Sequence, residues 1–409
     1  MQHAVVRRAW PVVWRAAFLA LGLLAVHKQV RDGNDFPLYW QAARDLLAGR
    51  SPYDVATGLH GYVYLPWFAW ALTPLALLPL AFAAWCWYVA NLAFTWFAGR
   101  RLLAAMREAA VPAHPVTIAL AALPLAGLFH DNLMLGQANL LLLLLVALTV
   151  SGAARGVPLG LAAVLKMPAA VLALPLALRA RWRALLGAAV AVVVTVGLPL
   201  LVPGGVERLG EWRAKVIAPA AAGTLQGSKV IDQSPQSGLR RLLVDGPAFG
   251  DHAVNVAALD EQAFALVSRV TTIVFLAGYV IVWLLAPARG SPRALLLDLA
   301  LGCCAMVQLT GFNLKAQFVV LLLPAWLAAA LAWERRTLVQ RVALVLAGAL
   351  FLLSQPGLVG RAASNWMLAY SSMALGTLIL TKVLAWQRLR VTPPPTFAPA
   401  AAPAPGTAP

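Results

Sequence analysis

Apolar run follows apolar run through this sequence, most of them close to the roughly 20 residues that carry a helix across a bilayer. Basic clusters punctuate them, as in "RARWR" (179 to 183), "ERR" (334 to 336) and "QRLR" (387 to 390). A soluble fold could not hide that much apolar surface. With 61% hydrophobic and 11% charged residues, and a mean hydropathy of +0.78, the chain reads as an all-α polytopic membrane protein. Cys86, Cys303 and Cys304 all lie inside apolar runs, so the sequence holds no disulfide framework and no metal-type cysteine spacing. The net charge of +17 gathers at helix ends, as topology demands. The basic residues left in outward loops are suited to a phosphorylated lipid, and no feature points to nucleic acid.

Matching each run to the bilayer thickness gives about twelve crossings, near 9–27, 64–80, 82–99, 114–130, 133–151, 157–178, 184–203, 264–286, 294–310, 315–332, 337–354 and 365–386. With Arg7 and Arg8 inside, "RARWR", Arg289, Arg293, "ERR" and the C-terminal end are cytoplasmic. "GRRLLAAMRE" (99 to 108) then falls outside, which marks one segment between 62 and 151 as a candidate re-entrant stretch. "LALGLLAVHKQV" lacks a small-residue cleavage site and reads as an uncleaved first helix. Residues 1–390 form the membrane domain, and 391–409, rich in Pro and Ala, read as a disordered cytoplasmic tail.

Two longer polar segments, 28–63 and 204–263, fall on the outer face. In the first, Phe36, Tyr39, Trp40, Ala43, Leu46 and Leu47 recur at helical spacing, opposite Gln41, Arg44 and Asp45. The pattern predicts a short interfacial helix with its aromatic side on the bilayer. Asp35 opens it, where a carboxylate is stabilised as an ordinary N-cap. Asp32 and Asp35 supply two hard oxygens, with no third carboxylate to complete a cation cage. Lys166, in "AAVLKMPAAV", is an ammonium among apolar residues two positions before Pro168. An intramembrane charge marks a functional site, although a lysine also reaches an interface along its stem. "FHDNLMLGQANLLL" (129 to 142) offers Gln137 and Asn139 for sugar hydroxyls or for capping a helix hairpin; the crossing count puts it in the cytoplasm. "SPQSGLRRLLVDG" offers Gln236, Ser237, Arg240 and Arg241. Two adjacent guanidinium groups suit a phosphate, or are solvated loop residues.

The stretches "DFPLYW", "AARDLLAGRSPYD" and "YLPWFAWALTPLALLPL", then "GQANLLLLLLVAL", "GLAAVLKMPAAVLALPLALRARWRAL" and "QSPQSGLRRLL", resemble in their order the polyprenyl-phosphate-mannose-dependent mannosyltransferases of the type C glycosyltransferase superfamily. Relatives of that kind extend phosphatidylinositol mannosides and arabinans. The resemblance implies a plasma-membrane enzyme with its active site facing the extracytoplasmic side. Such an enzyme moves a sugar, mannose, with inversion from a polyprenyl phosphate to a hydroxyl of a glycolipid or lipid-linked glycan, and needs no cofactor. It places the general base on Asp35, with Tyr39, Tyr53 and Asp54 as further substrate contacts. From position alone, Asp32, three residues before Asp35, is a candidate to help bind the acceptor or a cation, and the intramembrane charge of Lys166 is a candidate partner for the lipid phosphate. Two departures stand out. Pro235 and Gln236 replace an Asn-Gln-Ser run, and Asn313, Lys315 and Gln317 stand where relatives carry a Trp and paired histidines. Lys315 keeps a cation for phosphate, and Gln317 a polar side chain. A transporter or flippase for an envelope precursor remains a competing reading, since Lys166 with Pro168 is the kind of helix interruption transporters use. A scaffold role in envelope assembly is also open.

Overall fold

The computed structural model describes residues 2–54, 61–221 and 230–391. The proposed tail beyond Val391 lies outside them, as do parts of both polar segments. Among the described residues the regular structure is helical, apart from isolated antiparallel bridges joining Asp232 to Leu314 and Phe249 to His252.

Helix α1 (Gln2–Asp32) turns at Gly33 into α2 (Asp35–Leu47). The helix expected at 35–47 is present, but its aromatic face packs on protein rather than on lipid. Phe36 stacks on Trp87 at 5.6 Å, and Tyr39 meets Tyr64 and Phe68 edge-on at 5.2 and 5.3 Å. Asp45, assigned to the polar side, is buried, and its carboxylate accepts from Gln41 (3.1 Å) and from Nε of Arg50 (2.9 Å).

The crossing expected at 64–80 is two short helices, α3 (Pro66–Ala71) and α4 (Thr73–Ala76). Pro66, Pro74 and Pro79 remove amide donors there, and each can only open a helical turn. α5 (Leu80–Glu108) then runs unbroken through "GRRLLAAMRE". α6 (Pro115–Ala122) and α7 (Ala126–Leu135) join through a 3₁₀ turn into one apolar stretch. α8 (Asn139–Val150) and α9 (Val157–Leu165) follow.

The run at 157–178 is also broken, because Lys166 takes an extended backbone (φ −143°, ψ 109°). A 3₁₀ turn at Met167–Leu172 and α10 (Ala173–Ala177) complete it. α11 (Trp182–Gly197) lies tight against α9: a Cβ at Gly160 would stand 2.3 Å from the Ala188 carbonyl oxygen. α12 (Gly205–Trp212), α13 (Ala218–Ala221) and α14 (Pro235–Leu243) occupy the second polar segment. The rest of the bundle is α15 (Glu261–Leu285), α16 (Pro292–Gln308), α17 (Leu322–Glu334), α18 (Leu338–Leu353), α19 (Pro356–Ala369) and α20 (Ser372–Leu389).

Among the described residues, five stretches are long and apolar enough to cross a membrane, and α18 with α19, bent by 91°, forms a sixth if counted as one span. The stretch ending in α17 is 83% buried and forms the centre of the bundle, whereas α15 turns Ile273 and Val274 outward, each 64% exposed. Contacts define two ends. At one, Arg293 reaches the Ala109 carbonyl and Glu334 (3.3 Å), Arg335 the Arg390 carbonyl, and Asp298 holds both Arg179 and Arg388. At the other, Trp40 donates to the Leu78 carbonyl (3.1 Å), Lys215 pairs with Asp54 (2.6 Å), and the 230–243 segment meets residues 313, 368 and 369. α5, about 1.5 Å per residue long, connects the two.

Candidate functional site

A cavity of about 340 Å³ opens at the second end, beside the first turn of α2. Its polar lining brings together Asp35, Tyr39, Gln137, Lys166 and Gln317, and Val164, Leu165, Met167 and Pro168 give it an apolar flank. Asn34 is the N-cap of α2, which leaves Asp35 in the first helical turn, where the helix dipole favours a carboxylate.

Gln137 reaches Asp35 because α7 ends at Gly136, in the left-handed region with φ +68°. A Cβ there would lie 2.6 Å from Cβ of Phe36 and 2.8 Å from Oε1 of Gln29, so only glycine lets the α7–α8 corner close against α2. Trp87 donates its indole N–H to the Gly136 carbonyl (2.8 Å), and Gln137 donates through Nε2 to Oδ2 of Asp35 (3.0 Å). This hydrogen bond corrects the crossing count. "GQAN" lies on the same face as Asp35, not across the membrane from it, because 64–80 is not a span.

Tyr39 and Tyr64 share a hydroxyl–hydroxyl bond of 3.0 Å, and Tyr53 braces the Tyr64 carbonyl at 2.9 Å. Burial raises the Tyr39 and Tyr64 hydroxyls above their ordinary range, and the nearby Asp35 charge pushes the same way; both stay protonated, able to donate. The Asp35 charge also acts on Lys166. Sequence reasoning passed over Tyr62, Tyr64, Trp212, Thr310 and Phe312, all of which line the cavity. The one available signal was aromatic density in "YVYLPWFAW", which reads equally well as membrane anchoring.

Other candidates lie apart from the cavity. Asp32 is exposed at the end of α1, and Asp54 is exposed and paired with Lys215. Asn139 is buried behind Gln137, donating to its Oε1. Lys315 pairs with Asp131 at 2.7 Å, while Asn132 donates to the Ala316 carbonyl (2.8 Å), so α7 clips the segment that carries Gln317. Gln236 donates to Thr272 (2.9 Å). Arg240 pairs with Glu261 (3.0 Å) and lies over the Phe264 ring at 5.2 Å. Arg241 is buried and donates to the carbonyls of Asp232 and Ala369, to Oγ of Ser237 (2.9 Å) and to Oγ of Ser371 (2.8 Å). Burial lowers its guanidinium to about 10, opposed by the Asp232 charge; burial raises the Asp232 carboxyl, opposed by amide hydrogen bonds from Ser234 and Asn313. Among the described residues no three His, Cys, Asp or Glu side chains gather as a metal site.

The model of glycosyltransferase family 87 matches residues 62–311, more than half of the chain. No curated protein matches it, and no solved structure does. The match takes in Gln137, Lys166 and the α14 segment; α2 and Asp35 precede it.

Proposed function

The chain belongs to glycosyltransferase family 87, and from that premise we propose that it transfers mannose from a polyprenyl phosphate to a hydroxyl of a glycolipid or lipid-linked glycan. The observation that carries this reading is the pairing of a carboxylate, Asp35, with an ammonium, Lys166, in one cavity with an apolar flank. A lipid-linked sugar phosphate asks for that combination. The prenyl chain takes the apolar side, and the ammonium balances the phosphate.

In the reaction the acceptor hydroxyl gives its proton to Asp35 as its oxygen bonds to the anomeric carbon. The bond from that carbon to the phosphate oxygen breaks, polyprenyl phosphate departs with the bonding electrons, and the configuration inverts. Tyr39 and Tyr64 are placed to orient hydroxyls, and Lys166 stabilises the negative charge on the leaving phosphate. The sugar donor, the acceptor and the role of Asp35 as base follow the motif resemblance; the cavity supports them by holding Asp35 and Lys166 in one lining.

The end of the bundle that carries Arg179, Arg293, Arg335 and Arg388 is the cytoplasmic one by the positive-inside rule. The cavity then faces the extracytoplasmic side of the plasma membrane. In this arrangement α9 and α10 form a re-entrant hairpin that rises from the cytoplasmic face, turns at Lys166 and returns to Arg179.

Purified protein in proteoliposomes, given radiolabelled mannosyl polyprenyl phosphate and a glycolipid extract, tests the proposal. Label should move to a new lipid product, and Asp35→Asn should lower the rate by about 10²–10⁴ with an unchanged melting curve. Label that crosses the bilayer on an intact donor, with no new product, would establish the flippase reading instead.

A further inference from the structure

Asn139 and Gln137 are almost fully buried, at 0% and 6% exposure, and their amides form a chain with one direction. Asn139 donates through Nδ2 to Oε1 of Gln137, which leaves Gln137 to present Nε2 to Oδ2 of Asp35 at 3.0 Å. The Gln137 backbone is fixed by its N–H to the Asn132 carbonyl (3.1 Å), and the preceding carbonyl by Trp87. An amide held by its oxygen can offer the carboxylate only an N–H, and an N–H stabilises the ionised form.

We propose that Gln137 is a positioning residue for Asp35, and that the chain from Asn139 through Gln137 keeps that carboxylate ionised and aimed into the cavity. The proposal deepens the reading of Asp35 as general base and rests on it for its catalytic meaning. Among the described residues, titratable groups that face Asp35 include Tyr39 on its own helix, Tyr64 from the 61–65 segment and Lys166 from the break after α9. The tyrosines are neutral and Lys166 is a cation, so from the α7–α8 corner the control is exerted through amides.

The direction of the chain makes the idea testable without a substrate. Gln137→Leu removes the donor. Asn139→Asp places an acceptor where the Asn139 donor was, so Gln137 turns its N–H toward residue 139 and its carbonyl toward Asp35, which then favours a protonated carboxyl. Both substitutions should move the acid titration of Asp35 upward by about one pH unit or more.

The readout is the protonated-carboxyl C=O stretch in infrared spectra of the purified protein, assigned to Asp35 by its loss in Asp35→Asn and followed against pH. Asn139→Ala, which frees the Gln137 amide without reversing it, should give a smaller upward shift and stands in where Asn139→Asp fails to fold. A midpoint in Gln137→Leu equal to the parent's overturns the proposal. Shifted midpoints in a parent that transfers no mannose leave the positioning intact and sink the general-base reading. Transfer that depends on Asp35, with an acid limb indifferent to Gln137, does the reverse.

Discussion

At the scale of single residues, the site depends on one glycine as much as on its charged groups. Alanine at 136 would have to hold φ +68°, which costs about 1–2 kcal/mol. It would also press on Phe36 and Gln29, and overpacking adds about 1–3 kcal/mol. Gly136→Ala should therefore lower the melting temperature and also slow sugar transfer, because the α7–α8 corner that carries Gln137 backs away from Asp35; a melting curve and a transfer assay on one preparation check both. Lys166→Gln keeps the shape of the break after α9 and removes its charge. Donor titration should show use of the mannosyl donor weakened by about 2–5 kcal/mol, and an unaltered titration would move the phosphate elsewhere. Lys166 stood out as a charge in an apolar run, whereas Asp35 and Gln137 read equally as helix-capping residues and were singled out through the motif resemblance. That Asp35 and Gln137 meet was not legible, because the crossing count set them on opposite faces. Tyr62, Tyr64 and Trp212 were hidden for another reason: aromatic residues near a membrane serve equally as interface anchors and as cavity walls, and their order in the chain does not say which.

At the scale of elements, adjacency in sequence misled where helix geometry rules. Arg240 and Arg241 look like a paired phosphate clamp, yet on α14 successive side chains diverge by about 100° at 3.6 residues per turn. Arg240 turns out to Glu261, and Arg241 turns in to tie α14 to the corner between α19 and α20. Their substitutions should separate cleanly. Arg241→Gln leaves buried carbonyls without donors and should cost about 3–5 kcal/mol, whereas loss of the half-exposed Arg240 pair should stay within about 1 kcal/mol. Thermal melting in one detergent compares them, and equal losses would mean that α14 is not held through Arg241. The long apolar stretches, α5, α15 and those built on α11 and α17, were visible from run length because length is what the bilayer demands. The broken segments at 64–80 and 157–178 have the same hydropathy as true spans. Only their prolines, and Lys166, record that the backbone is interrupted.

At the scale of the whole molecule, a single segment decides the topology. Were 64–80 a crossing, every later helix up to 151 would be inverted, and "GRRLLAAMRE" would share a face with Asp35. With α3 and α4 lying at that face instead, as proposed, α5 would alone carry the chain across; its C-terminal end at Ala109 meets Arg293, beside Glu334. In the topology proposed above, the hairpin of α9 and α10 restores the balance further on: it would enter and leave at one face, so "RARWR" stays with the basic ends of α16, α17 and α20. "GRRLLAAMRE", "RARWR", "ERR" and "QRLR" then fall on one side, as the positive-inside rule favours and twelve full crossings did not deliver. Thiol labelling tests this directly. In a parent with Cys86, Cys303 and Cys304 replaced by serine or alanine, single cysteines introduced as Glu108→Cys, Arg155→Cys and Arg336→Cys should react with a membrane-impermeant maleimide only after the membrane is opened. Asp32→Cys and Asp245→Cys should react in intact cells. Reaction of Glu108→Cys in intact cells alongside Asp245→Cys would restore 64–80 as a span, and would break the link between the fold described here and an active site on the outer face.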